Sequence, residues 1–178
     1  MGVLFECVKV DYSCAYGSCN IIRVEILQAT IRYLENKKIE IAKIQSNCKI
    51  TNSVKKESEE KQEYDKEVYE LYDTDTKINE ILVHKNKMAK GVDDFLSVMH
   101  NSNSLIDNFI YLDIYGCYAL LNKSDCEGYY SPGNSFDILS IINTVKPFIT
   151  DKNVLERLKH IVKLFMESVK LQKKITIM

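Results

Sequence analysis

The chain has no tryptophan and two prolines, and between Gly17 and Gly91 it has neither glycine nor proline. A sheet full of tight turns needs those residues repeatedly, so the gap excludes one there and favours long helices. No apolar run approaches the roughly 20 residues that span a bilayer. The start, MGVLFECVKVDYS, lacks a basic segment and a long apolar one, so it does not read as a secretory signal. Gly2 suggests myristoylation, but position 6 is Glu where that motif wants Ser or Thr. On this reading the protein is cytoplasmic and has no membrane partner. No sign of charge dominates either: 24 basic residues face 25 acidic ones. That balance removes the large basic footprint of a nucleic-acid binder.

Histidine is scarce. His84, His100 and His160 lie in three separate segments, and no H-x-x-x-H or H-E-x-x-H spacing occurs. A helical metal site therefore lacks its ligands. The six cysteines, Cys7, Cys14, Cys19, Cys48, Cys117 and Cys126, include no C-x-x-C pair and have no histidine nearby in sequence. Without export they are expected to stay reduced, as buried free thiols. Folding would have to assemble a nucleophilic pair such as Cys117 with His100, and nothing marks an activated thiol. DTD at 73–75 lacks the glycine and distal glutamate of a calcium loop. No metal and no cofactor is expected.

What remains is a chain rich in helical pattern, 46% hydrophobic. A chain of this size buries roughly 70% of its unfolded surface. LFECVKVD alternates and reads as a strand, SCAYGSCN as a loop, and Asn20 as an N-cap. Val24, Leu27, Ile31, Leu34 and Ile41 then fall on one helical stripe, and Tyr64, Val68, Leu71, Ile78 and Leu82 on another. Two such seams pack most simply on each other as an antiparallel hairpin. Between them, residues 49–62 (KITNSVKKESEEKQ) are charged and of mixed sign, which predicts a mobile tip. The sharper reading makes that tip an exposed docking handle.

VDDFLSVM is a short helix, and NSNS a polar break. LIDNFIYLDIYGCYALL is apolar nearly all round and predicts a central buried helix with Gly116 tolerated inside; CYALL also fits a strand. FDILSIINTVK ends before Pro147. Thr150 or Asp151 caps the last helix, whose apolar face runs through Val154, Leu158, Ile161, Phe165 and Val169. ITIM reads as a strand that needs a partner, and LFECVKV is the candidate. The expected fold is α+β and mainly α, a single domain over 1–178. It combines a helical bundle, a long helical hairpin and a small sheet pairing the two ends.

MGVLFECVKV at the start and KLFMESVKLQKKITIM at the end resemble the YfbM-like family of small bacterial proteins of unknown function. EGYYSPGNSFDILSIINTV resembles that family's loop into a late helix. The resemblance covers about a third of the chain and implies an α+β fold with an initial strand and a closing helix-then-strand. The chain departs from the family in having no tryptophan and in its charged insert at 49–62. No functional residue carries over.

Two sets of candidate residues stand out. In GYYSPGNSFD a helix N-terminus offers unpaired amides, Gly133 permits close approach, and Asn134 and Ser135 add donors. Tyr129 and Tyr130 could line a pocket there for a nucleotide or phosphate. The simpler reading makes Ser131, Asn134 and Ser135 the cap of their own helix and Pro-Gly an ordinary turn. The second set is Tyr64, Tyr69 and Tyr72 on the second hairpin helix. Tyrosine is favoured at interfaces, and it also edges cores with its hydroxyl in water. The sequence therefore points to a non-enzymatic binding protein. It would act by protein–protein contact and occlusion, as an immunity, anti-defence or adaptor protein does, with another protein or a second copy as partner. The alternative is a small-ligand binder or weak enzyme working through 129–135.

Overall fold

The alternating segment LFECVKVD, expected as one strand, is instead bent into a hairpin: its first strand ends at Cys7, the chain turns at Val8 and a second strand begins at Val10. The computed structural model describes residues 2–8, 10–51, 59–123 and 128–178. In it β1 (Gly2–Cys7) pairs antiparallel with β2 (Val10–Ala15), from Cys7↔Val10 to Gly2↔Ala15. The segment expected as a loop is thus divided. Its first residues complete β2, and α1 begins at Tyr16, leaving Asn20 inside the helix rather than at its cap. Cross-strand packing extends β2 beyond what periodicity displays: the Phe5 and Tyr12 rings lie 6.3 Å apart.

Val8, between the strands, has φ 49. A β-branched side chain is strained in that left-handed region. Val8→Gly is therefore expected to raise the unfolding free energy by roughly 1 kcal/mol. A urea titration should show a higher midpoint at unchanged slope.

The expected pairing of the chain ends is present. β4 (Ile175–Ile177) lies antiparallel to β1, with Phe5↔Ile177 and Glu6↔Thr176 in register. A third segment, β3 (Gly128–Tyr130), too short to show a period, joins the far side of β4. The strand order is β2-β1-β4-β3. The pleat turns Cys7, Tyr130, Ile175 and Ile177 into the core, and the alternate residues outward.

The hairpin consists of α1 (Tyr16–Thr51) and α2 (Glu59–Leu82). Of the stripe expected on α1, Leu27, Ile31, Leu34 and Ile41 are buried and Val24 is half-buried. Ile22, Ile26, Ala29 and Thr30 are buried too, because later helices wrap the first half of α1. α2 runs back along α1: Leu71 lies near Ile41 and Ile44, and just past α2 Lys85 Nζ meets Glu35 Oε1 at 2.7 Å. Of the proposed tip at 49–62, residues 52–58 lie outside the described residues, while 49–51 continue α1 and 59–62 begin α2 as helix; the side chain of Tyr64 also lies outside them.

α3 (Lys85–Met88) and α4 (Val92–His100) lead to the apolar stretch expected as one central helix. It is two: α5 (Asn103–Tyr111) and α6 (Tyr115–Leu121), separated where Asp113 adopts φ 57. Aspartate tolerates that conformation, and the break lets α5 pack on α2 and α4 while α6 packs on the next long helix. That helix is α7 (Pro132–Val145), followed by a 3-10 turn at Lys146–Phe148. α8 (Lys152–Leu171) is capped by Asp151, whose Oδ1 accepts from the Asn153 amide at 2.8 Å. One buried cluster runs through all of these elements, with Phe95, Phe109 and Phe165 among its fully enclosed side chains.

Candidate functional site

The start of α7 is occupied by its own side chains. Ser131 is the N-cap, and its Oγ accepts from the Asn134 amide at 3.1 Å. The Ser131 amide donates back to Asn134 Oδ1 at 3.4 Å, which completes a capping box. Pro132 has no amide hydrogen, and the Ser135 amide donates to the Ser131 carbonyl. Of the first-turn amides only that of Gly133 lies outside this network. An anion at this turn would meet one amide rather than a cradle.

The six loop candidates are not gathered around one point. Tyr130 is buried: its hydroxyl donates to the Leu120 carbonyl at 3.1 Å, and its ring stands edge-on to Phe165. Burial pushes that phenol up to about 12. Ser135 is buried as well, donating to Ser168 Oγ at 2.9 Å, while Ser168 donates to the Lys173 carbonyl. Tyr130 ties β3 to α6 and α8, and Ser135 ties α7 to α8, so neither lines a ligand site. Tyr129 and Gly133 face solvent, and Ser131 and Asn134 serve the cap. Around Tyr129, Lys174 Nζ lies 5.2 Å and Lys123 Nζ 5.8 Å from the ring centroid.

The hairpin candidates behave differently. Tyr69 is 74% exposed and Tyr72 49%, three residues apart on one face of α2. A groove between the helices is lined by Ile41, Ile44, Leu71 and Tyr111, on the face of α2 turned away from Tyr69 and Tyr72. Glu67, Glu70 and Lys37 form its rim. Tyr111 is fixed by Lys77, whose Nζ sits 4.3 Å from the ring centroid. The hydrogen bond from Lys77 holds the Asp73 carboxyl below its usual range.

The thiol–imidazole pair does not form. Cys117 is fully buried, and burial pushes its thiol up to about 12, so it stays protonated. His100 is on the surface, with Nε2 3.3 Å from Asn122 Oδ1. Cys7 is also a buried free thiol, and burial raises its pKa. Cys19 departs from the expected reduced state: it is disulfide-bonded. Such bonds follow distances set by the fold, which sequence spacing does not give. Among the described residues no group of His, Cys, Asp or Glu is placed to hold a metal, and no helix is long and apolar enough to cross a membrane.

Arg23 was not visible as a candidate from its sequence. It is 7% exposed, with Nη2 donating to the Leu121 and Lys123 carbonyls. It fixes the end of α6 to α1. The available signal was its place on a helical face with Cys19, Ile26 and Thr30, where a solvated arginine does not belong. Arg23 also lines a void with Tyr12, Tyr130 and Phe165 of about 40 Å³. That is room for water rather than for a metabolite.

No protein-family model, curated protein or solved structure matches this chain.

Proposed function

We propose that this chain is a non-enzymatic binding protein acting by protein–protein contact, of the immunity, anti-defence or regulatory adaptor kind. The observation that carries the reading is Tyr69, a ring left 74% in water on a helix of the hairpin. With Tyr72, one turn away on the same face, it forms an exposed aromatic pair of the kind enriched at interaction sites. A partner whose site is seated on that pair would have the site occluded by the hairpin.

Tyr69→Ala with Tyr72→Ala is expected to weaken the partner complex by about 2 kcal/mol or more, roughly thirty-fold, with the circular dichroism spectrum unchanged. The partner is identified by a photo-crosslinking residue at position 69 in the native cell, and the loss is measured by titration. A crosslinking pattern without a defined product, or a double variant that binds as well as the wild type, would end this reading.

The alternative, a nucleotide or phosphate binder at 129–135, draws support from the two lysines around exposed Tyr129. The self-filled first turn of α7 counts against it. Thermal stabilisation by a nucleotide, lost in Gly133→Val, would favour it. The likeness to the YfbM-like family belongs to this proposal as well: the pairing of β1 with β4 is what that likeness implies, and it adds no activity. A cytoplasmic location is the remaining element, and the Cys19 disulfide is the observation opposed to it.

A further inference from the structure

The outward face of the sheet carries an ordered pattern of charge. Cross-strand register places Asp11, Glu6, Thr176 and Tyr129 in a single row, one residue from each strand in the order β2-β1-β4-β3. The next row holds Ser13 and Leu4, and Leu4 exchanges both backbone hydrogen bonds with Met178 at 2.9 Å. Glu6, Asp11, Ser13, Tyr129 and Met178 are exposed, whereas α8 packs against the opposite face of β1 and β2. The outward face is acidic at the β2 side. At the β3 side it is basic, where Lys174 and Lys123 flank Tyr129.

Each half of the pattern costs the isolated chain something. Glu6 and Asp11 are directly opposite one another, and like charges so placed repel. Two ammonium groups converge on one ring at the other edge. None of these four charges has an ion-pair partner among the described residues.

We infer that this face docks against the same face of a second copy, about a twofold axis parallel to the strands and midway between β1 and β4. That axis lays β2 over the partner's β3, and β1 over the partner's β4. The acidic edge then meets the partner's lysines and the Tyr129 hydroxyl, and Leu4 meets Met178. Packed sheets stand about 10 Å apart, a gap that a lysine and a glutamate span end to end. A twofold axis across the strands instead sets acid on acid, so the charge pattern selects one geometry. The interface is isologous, as in most homodimers. It uses a surface separate from the hairpin and is independent of the function proposed above.

The test is sedimentation velocity of the full chain with two charge-reversed variants, Glu6→Lys/Asp11→Lys and Lys123→Glu/Lys174→Glu. The wild type is expected to dimerise, and each variant to dimerise at least about tenfold more weakly. Their equimolar mixture should recover a heterodimer, and added salt should weaken it. Circular dichroism confirms that both variants fold; Glu6, Asp11 and Lys174 are exposed and Lys123 is half-buried, and Tyr69→Ala with Tyr72→Ala should leave the dimer intact. A wild type that stays monomeric at high micromolar concentration overturns the inference. So does a dimer that both reversals leave unchanged, or a mixture that fails to associate.

Discussion

Gly116→Ala is expected to lower the unfolding free energy by about 3 kcal/mol or more, beyond the usual range for one added methyl. Gly116 lies in α6 where that helix crosses α7. A Cβ there would stand 2.8 Å from the Ile138 amide nitrogen and closer still to the Asp137 carbonyl. Those atoms belong to helix backbone and have no rotamer to give, so the two helices must separate. α6 and α7 are the most extensively packed pair in the fold, and separation opens the contacts of Cys117, Leu120, Ile138 and Ile141 together. For a chain of this length the melting temperature should fall by roughly 6–12 °C. Gly133→Ala is the control. Its Cβ would meet only Ser131 Oγ, at 3.7 Å, so exchanging glycine for a better helix former should stabilise by about 0.5–1 kcal/mol. Thermal and urea unfolding measure both, and a Gly116→Ala loss below about 1 kcal/mol would contradict the close crossing.

Glu25→Ala is expected to cost about 2–3 kcal/mol, below the roughly 3–5 kcal/mol for breaking a fully buried ion pair, because Arg32 is a third exposed. Glu25 lies on α1, and its Oε1 accepts from Arg32 Nη2 at 2.7 Å, the Thr150 amide at 2.9 Å and Thr150 Oγ1 at 3.1 Å. Arg32 Nε in turn donates to the Phe148 carbonyl at 2.8 Å. One carboxylate thus ties α1 to the segment joining α7 and α8. Alanine removes the acceptor and leaves the Thr150 amide and the guanidinium to find water. Glu25→Gln keeps an acceptor for Thr150 and gives up the charge, so its loss should be about half as large. Equal losses in urea for the two variants would show that the charge, and not the acceptor geometry, holds the segment.

The parts of this protein legible in its sequence are those fixed by local pattern or local chemistry. The stripe of Val24, Leu27, Ile31, Leu34 and Ile41 is a helical face because its spacing is helical, and all but the half-buried Val24 are enclosed. Asp151 caps α8 and Pro147 ends α7 because each acts on its own backbone. The self-capped turn at Ser131 and Asn134 has the same origin: both partners lie within one turn. The pairing of β1 with β4 was legible by elimination, since a short terminal strand needs a neighbour and one segment suited it.

The rest depended on distances between segments far apart in the chain. Whether LIDNFIYLDIYGCYALL is one helix or two is decided by what α5 and α6 each pack against, and its apolar pattern is the same in both cases. Gly116 reads as a mild defect until α7 is laid across it. Tyr129 and Tyr130 are neighbours with the same side chain, yet the pleat of a three-residue strand sends one to water and the other to Phe165. Arg23 and Glu25 read as ordinary helix-surface charges, and the tertiary fold buries both. The sequence by itself determined where helices run, where they stop and which faces are apolar, because those properties are set within a few residues. Only the tertiary structure decided which polar groups are enclosed and which charges share a surface, because burial and register are properties of pairs of segments rather than of either alone.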